Sequence, residues 1–182
     1  MLEKESIRKQ VKQAVKTLSE TEKHLLSQQV MMRLESLACF QNAKTIMVYA
    51  SLPDEVETNY ILQHYAKEKL ILLPVVCGEE LQLYPFKGFN NLCIGSYGIK
   101  EPCRSENPFT DYKTIELIIT PGVAFDKQLH RLGRGKGYYD RFLANNKLTN
   151  AYKIGICYPC QVIENIPTET HDISIDELIT TL

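Results

Sequence analysis

The chain lacks most of the features that announce a specialised role. No apolar run approaches the ~18 residues that a membrane-spanning helix requires, so no membrane partner is expected. The opening stretch MLEKESIRKQVKQAVK is charged and has no apolar core of the kind a secretory signal carries, which predicts a cytoplasmic protein. Charge of one sign is not in excess. Lys and Arg number 21 against 22 Asp and Glu, a formal net charge of −1, which argues against general affinity for nucleic acid. Low-complexity tracts and internal repeats are missing too. The six cysteines are scattered, mostly in or beside apolar stretches, and predict free buried thiols rather than a disulfide framework. Cys157 and Cys160 form a CxxC, but no second pair at zinc-site spacing accompanies it. Pro159 and the polar turn that follows also differ from a redox pair opening a helix.

What is present is ordinary globular material with one unusual segment. At 182 residues, 44% hydrophobic and 24% charged, the chain predicts a single domain, 1–182, with a full-sized core. Ile7, Val11, Ala14, Val15 and Leu18 recur at helical spacing over residues 3–17. Ser19 with Glu22 three residues on is a capping box, and it opens a second helix reaching about Ala38 with Leu25, Leu26, Val30, Leu34 and Leu37 inward. Strands are predicted at Thr45–Ala50, Leu70–Val76, Leu81–Phe86, Thr114–Thr120 and Ala151–Tyr158, with a last short one at Ile173–Ile175. Helices are predicted at Glu57–Lys69 and Tyr138–Asn146, and residues 87–111 read as a long excursion. Strands alternating with helices imply an α/β three-layer sandwich: a mostly parallel sheet flanked by helices, plus a small hairpin excursion. Ligands of such sheets bind beyond the carboxyl ends of the strands, so the breaks after Ala50, Val76, Thr120 and Cys157 are expected at one rim.

The unusual segment is PGVAFDKQLHRLGRGKGYYDRFL, residues 121–143. Gly133, Gly135 and Gly137 alternate with Arg134 and Lys136, flanked by Arg131 and Arg141 and followed by Tyr138, Tyr139 and Asp140. Four cations in eleven residues repel one another unless an anion or carboxylates neutralise them. A strand, a glycine-rich cationic loop and a helix start form a polyphosphate cradle, because backbone N–H groups and the helix dipole face the anion. Neither common nucleotide motif is met. GxxxxGK[ST] fails because residue 130 is His and Lys136 is followed by Gly137, and GxGxxG fails because the third glycine comes one residue early.

This block resembles the signature of the 5-formyltetrahydrofolate cyclo-ligases, also called methenyltetrahydrofolate synthetases. Further landmarks run from residue 4 to 177. Lys4-Glu5-Ser6-Ile7-Arg8-Lys9 resembles the family's amino-terminal Lys-x-x-x-Arg pattern, and Asp54-Glu55-Val56-Glu57-Thr58 its acidic segment. Tyr97-Gly98-Ile99-Lys100-Glu101-Pro102 resembles its central Gly-Ile-x-Glu-Pro stretch, and His171-Asp172-Ile173 with Asp176-Glu177 its carboxyl-terminal segment. The resemblance implies ATP-dependent conversion of 5-formyltetrahydrofolate to 5,10-methenyltetrahydrofolate with release of ADP and phosphate. It implies ATP as co-substrate and Mg2+ as metal, a small-molecule substrate, and a monomer or weak homo-oligomer.

Carried over residue by residue, the resemblance implies a nucleotide site at Lys4, Arg8, Arg131, Leu132, Gly133, Arg134, Gly135, Lys136, Gly137, Tyr138 and Tyr139. Folate contacts fall on Ala50, Glu55 and residues 134–138, and magnesium on Asp140 and Asp172. Arg134, Lys136 and Tyr138 are the implied catalytic residues. Asp126 reads as a turn residue and His130 as a variable exposed position. Two other readings stay open: another enzyme on the same architecture, or a nucleotide- or folate-binding module without turnover.

Overall fold

A computed structural model of the chain describes residues 2–95, 98, 100–103 and 107–181. Helix α1 spans Leu2–Lys16 and α2 spans Glu20–Ser36. The capping box forms as expected: Glu22 N–H donates to Ser19 Oγ at 3.2 Å and Ser19 N–H to Glu22 Oε2 at 2.8 Å. The second helix stops before Leu37, whose extended backbone (ψ 134°) starts a separate short α3, Ala38–Asn42. Leu25, expected inside, is 52% exposed, because α2 buries Ser27, Val30, Met31 and Leu34 on the adjacent stripe.

Strand β1 is Thr45–Met47, shorter than the predicted run to Ala50, although Val48 N–H still bonds Leu72 O at 2.9 Å. Helix α4 covers Asn59–Tyr65 and falls short at both ends of the predicted span. Strand β2 (Leu70–Cys77) then turns back into β3 (Glu80–Pro85) as an antiparallel hairpin. The excursion folds into a second hairpin, β4 (Leu92–Ile94) with β5 (Lys100–Pro102). Cys93 and Cys103 are disulfide-bonded across it, with Cα atoms 5.2 Å apart. The expectation of free buried thiols is therefore corrected for this pair, since only folding of the hairpin brings the two together. Cys157 is free and buried, whereas Cys39, Cys77 and Cys160 are free and half-buried.

Strand β6 (Leu117–Thr120) carries the chain back through the middle of the sheet. The sequence reading ran Thr120 straight into the glycine loop, but two short strands intervene, β7 (Ala124–Asp126) and β8 (Arg131–Leu132). Strands of two or three residues leave no readable periodicity. After the loop come α5 (Tyr138–Leu143), β9 (Tyr152–Ile156), β10 (Val162–Ile163) and β11 (Glu177–Ile179). The final strand lies beyond the predicted Ile173–Ile175, because Ile175 N–H is taken by Leu129 O and pairing with β9 begins at Glu177.

The main sheet has the order β11-β9-β6-β1-β2-β3, parallel throughout except for β3. Its strands are apolar at consecutive positions because both faces are covered. Ile46, Ile71, Leu73, Leu117 and Ile119 pack with Val11, Val15, Val30, Leu34, Phe40 and Ile61 from α1–α4. Met47, Leu72 and Ile118 face the other way, against Phe142 and Leu143 of α5 and Leu81 and Leu83 of β3. The α/β layering is thus as expected. A separate three-stranded sheet, β10-β7-β8, props the glycine loop above the carboxyl ends of the parallel strands. No helix among the described residues is long and apolar enough to cross a membrane.

Candidate functional site

A cavity of about 420 Å³ opens where β1, β2 and β6 end. The segment after β1 supplies Tyr49, Ala50 and Glu55, β2 supplies Pro74 and Val76, and the glycine loop with the first turn of α5 closes the opposite side. Gly135 (φ 98°) and Gly137 (φ 68°) occupy left-handed backbone, which non-glycine residues enter only under strain. The helix is six residues long, so its dipole contributes less than the sequence reading assumed.

The cations around the loop fall into two groups. Arg131, with a side chain 2% exposed, places Nη2 2.6 Å from Asp140 Oδ1. Arg134 Nη2 lies 2.7 Å from Asp54 and 2.8 Å from Glu55, and Lys4 Nζ lies 2.6 Å from Asp172 and 3.3 Å from Glu169. The other group has no carboxylate partner among the described residues. Arg8 Nε donates to the Gly133 carbonyl at 2.8 Å, and Arg141 donates to the carbonyls of Glu79 and Lys136, each at 3.0 Å. Lys136 Nζ is exposed and makes no hydrogen bond or ion pair among the described residues.

Burial sets the ionisation of several groups. It raises the Glu55 carboxyl, and the Arg134 guanidinium and Leu52 N–H (3.0 Å) only partly hold it back. Burial, reinforced by the Glu55 charge, pushes the Tyr139 phenol far above its usual range. The Tyr139 hydroxyl and Arg131 Nε have no hydrogen-bond partner among the described residues, and both residues line the cavity. Burial also opposes charge on Lys4 and Asp172, yet their mutual hydrogen bond wins. The ammonium stands above its usual value and the carboxyl below it.

The fold therefore brings together Ala50, Glu55, Arg131, Gly133, Arg134, Lys136, Gly137, Tyr138, Tyr139 and Asp140 around one cavity. Lys4, Arg8, Leu132, Gly135 and Asp172 do not line it. Leu132 is buried opposite Ala124 in the small sheet, and a Cβ at Gly135 would stand 3.5 Å from Arg8 Cζ. The Lys4–Asp172 pair sits just behind, tied in by Ile173 N–H, 3.5 Å from Asp140 Oδ1. Tyr97 and Ile99 of the central stretch lie outside the described residues. Sequence reasoning gave no role to Glu101, Pro74, Val76 and Leu81, which also line the cavity. The only signal was Glu101's place in the Gly-Ile-x-Glu-Pro stretch.

Asp126 and His130 are paired with each other in the turn after β7, and neither lines the cavity. Asp126 is fully buried, and it accepts from Gln128 N–H, His130 N–H, Ile166 N–H and His130 Nδ1, all within 3.0 Å. The turn reading of Asp126 stands. His130 is not a freely exposed position, since its half-buried ring is held by that carboxylate. Burial pushes the Cys157 thiol up to about 12, which makes it a poor nucleophile or metal ligand.

No group of three or more His, Cys, Asp or Glu side chains forms a metal cage among the described residues. Asp140 and Asp172, with anion-seeking cations beside them, fit a magnesium ion that takes one or two carboxylates and completes its shell with phosphate and water.

Comparison with known proteins agrees with this fold. The chain is 38% identical, with a TM-score of 0.85, to the 5,10-methenyltetrahydrofolate synthetase structure from Aquifex aeolicus, over 99% of this chain and 90% of that one. It is 30% identical over 195 residues to the 5-formyltetrahydrofolate cyclo-ligase of Mus musculus, covering 97% of this chain and 92% of that protein. The Haemophilus influenzae enzyme of the same name is 29% identical over 187 residues, covering 97% and 96%. The sequence profile of the family matches residues 1–181, from the Lys4 helix through the glycine loop to β11, and the chain belongs to the 5-formyltetrahydrofolate cyclo-ligase family.

Proposed function

We propose that this chain catalyses the ATP- and magnesium-dependent cyclisation of 5-formyltetrahydrofolate to 5,10-methenyltetrahydrofolate, releasing ADP and phosphate. The observation that carries the reading is Lys136, a cation without a protein partner among the described residues, on a glycine loop beside a cavity of about 420 Å³. Such a charge is stabilised by an incoming anion rather than by the fold.

The formamide carbon at N5 is a weak electrophile, and its oxygen does not leave unaided. Transfer of the γ-phosphoryl group to that oxygen breaks the bond to ADP and makes an iminium-like carbon. The N10 lone pair attacks this carbon, the C–O bond breaks, phosphate leaves with its electron pair, and the N10 proton passes to a phosphate oxygen. Because both nitrogens belong to one molecule, positioning supplies much of the acceleration. Lys136 and Arg134 neutralise charge on the moving phosphoryl group, and Gly133 and Gly137, which line the cavity, let it approach the backbone. Asp54 and Glu55 orient the Arg134 guanidinium, and Arg8 braces the loop from beneath. Arg131 holds Asp140 in place, and Tyr138 and Tyr139 close the cavity over the reacting groups. Asp140 and Asp172 would hold magnesium, which when bound offsets phosphate charge. Ala50 and Glu55 face the folate, the reaction serving one-carbon metabolism in the cytoplasm.

Purified protein mixed with 5-formyltetrahydrofolate, ATP and magnesium is expected to develop the near-ultraviolet absorbance of the methenyl product, and to stay flat without ATP. A flat trace from folded protein in the complete mixture overturns the proposal.

A further inference from the structure

Arg141 differs from the other cations of the glycine block. Arg131, Arg134 and Lys136 line the cavity, and Arg141 does not. From α5 it reaches two separate pieces of the cavity rim. Its Nε, at 3.0 Å, and its Nη2 both donate to the carbonyl of Glu79, 62 positions away. Its Nη1 donates at 3.0 Å to the carbonyl of Lys136. The guanidinium carbon stands 5.3 Å from the centre of the Tyr138 ring. A Cβ at Gly137 would come within 2.8 Å of Nη1, so the glycine makes room for the guanidinium.

Glu79 sits at the tip of the β2–β3 hairpin, which turns in two residues, Gly78 and Glu79. Val76 and Leu81, on the two strands behind this tip, line the cavity, as do Lys136, Gly137 and Tyr138. Arg141 therefore straps the hairpin to the glycine loop. Its planar fork of donors spans two carbonyls in a fixed geometry, which a single ammonium does not reproduce. The Lys136 C=O and the Gly137 N–H belong to one planar trans peptide and point in opposite directions. That N–H has no acceptor among the described residues. The strap is not what folds the region, since Phe142 and Leu143 anchor α5 beside Leu81 and Leu83.

Resting on the function proposed above, we propose that Arg141 is a positioning residue for phosphoryl transfer. It holds the Lys136–Gly137 peptide and the Tyr138 ring against the β2–β3 hairpin. By drawing the Lys136 carbonyl away from the cavity, it turns the Gly137 N–H toward the phosphoryl group. Without the fork this peptide, with Gly135 before it and Gly137 within it, rotates easily, and the aligned arrangement forms only part of the time. Misalignment of this kind lowers turnover more than it weakens binding. A purely structural Arg141 would instead lower stability and activity together.

The test measures kcat, the ATP KM and Tm in wild type, Arg141→Ala and Arg141→Lys. Each is assayed with and without guanidinium chloride at a concentration far below denaturing strength, sodium chloride serving as the ionic control. Arg141→Ala is expected to lower kcat roughly tenfold with the ATP KM within about threefold. Its Tm should stay within about 2 °C, as for a surface substitution. Arg141→Lys keeps the charge but loses the fork, and should remain roughly fivefold down. Added guanidinium should raise kcat of Arg141→Ala by roughly threefold and leave wild type unmoved. Three results overturn the inference: an unchanged kcat in Arg141→Ala, full activity in Arg141→Lys, or an early-melting Arg141→Ala that guanidinium does not rescue. The second would leave Arg141 only its charge, and the third would make it structural. A wild type that forms no methenyl product at all overturns the function itself, whereas an active wild type with an unaffected Arg141→Ala overturns only the role of Arg141.

Discussion

Two loops of this protein look alike in sequence and differ in physics. The turn from Asp126 to His130 and the loop from Gly133 to Gly137 both follow short strands, and both carry ionisable residues. In the turn, one fully buried carboxylate gathers three backbone N–H groups and an imidazole nitrogen, so its bonding capacity is nearly filled by the protein itself. In the loop, carboxylates reach Arg131 and Arg134, while Lys136 is left to solvent. A polar cluster that satisfies itself is architecture. A cluster with charge left over is prepared for something that is not in the chain.

The largest expected consequence of this contrast is for Lys136→Ala. It should lower kcat/KM for ATP by about 100-fold, roughly 2.7 kcal/mol, with the melting temperature unchanged. A variant that melts early instead would place the loop with the turn, as structure. The converse case is Asp126→Ala, which leaves three backbone N–H groups and a histidine without their acceptor. It should cost about 3 kcal/mol of stability, near 10 °C in Tm, with the KM values for folate and ATP unmoved. A loss of activity at full stability would make the Asp126–His130 pair functional after all.

Asp140→Asn is smaller and sharpens the map within the loop. It should raise the magnesium concentration needed for half-maximal activity by about tenfold. An unaltered titration, measured at saturating ATP, would leave Asp140 only its pairing with Arg131. The mildest test is acidification. Asp126 has a folded-state pKa below its usual 3.8, despite burial, because its N–H donors favour the charged form. Its contribution to stability is therefore complete above the unfolded value and is lost only as pH falls through the lower folded one. Glu55 has the opposite sign. Burial raises it above 4.5, so its charge opposes folding at neutral pH and that opposition is relieved on acidification. As pH falls toward the usual glutamate value of 4.5, activity should decline as Glu55 takes up a proton and releases Arg134, while Tm stays nearly level. Parallel loss of both, by absorbance assay and calorimetry, would merge the two regions again.

Much of this was legible because it rests on local chemistry. The capping box at Ser19 and Glu22 is a matter of spacing along one turn, and it forms as read. The uninterrupted apolar runs at β2 and β6 reveal a sheet covered on both faces. The alternating glycines and cations locate a phosphate-type loop at the strand ends. What escaped depended on partners distant in the chain. Leu25 has the right character for a core residue, but α2 turns its neighbouring stripe inward. Cys93 and Cys103 meet only because the excursion folds back on itself. Strands β7, β8 and β10 are too short to show a period, and their pairing exists only in three dimensions.

The sequence by itself determined the layered class of the fold, the position of the glycine loop and the family, since each follows from periodicity or from a contiguous motif. Tertiary structure alone decided which cations are spent and which are left. Asp54 and Glu55 reach Arg134 across about 80 positions of chain, and Asp172 reaches Lys4 across 168. It also decided that Glu101, in a hairpin of its own, lines the same cavity as the glycine loop. Charge pairing acts over a few ångströms of space and takes no account of separation along the chain, so only the folded molecule shows where charge remains.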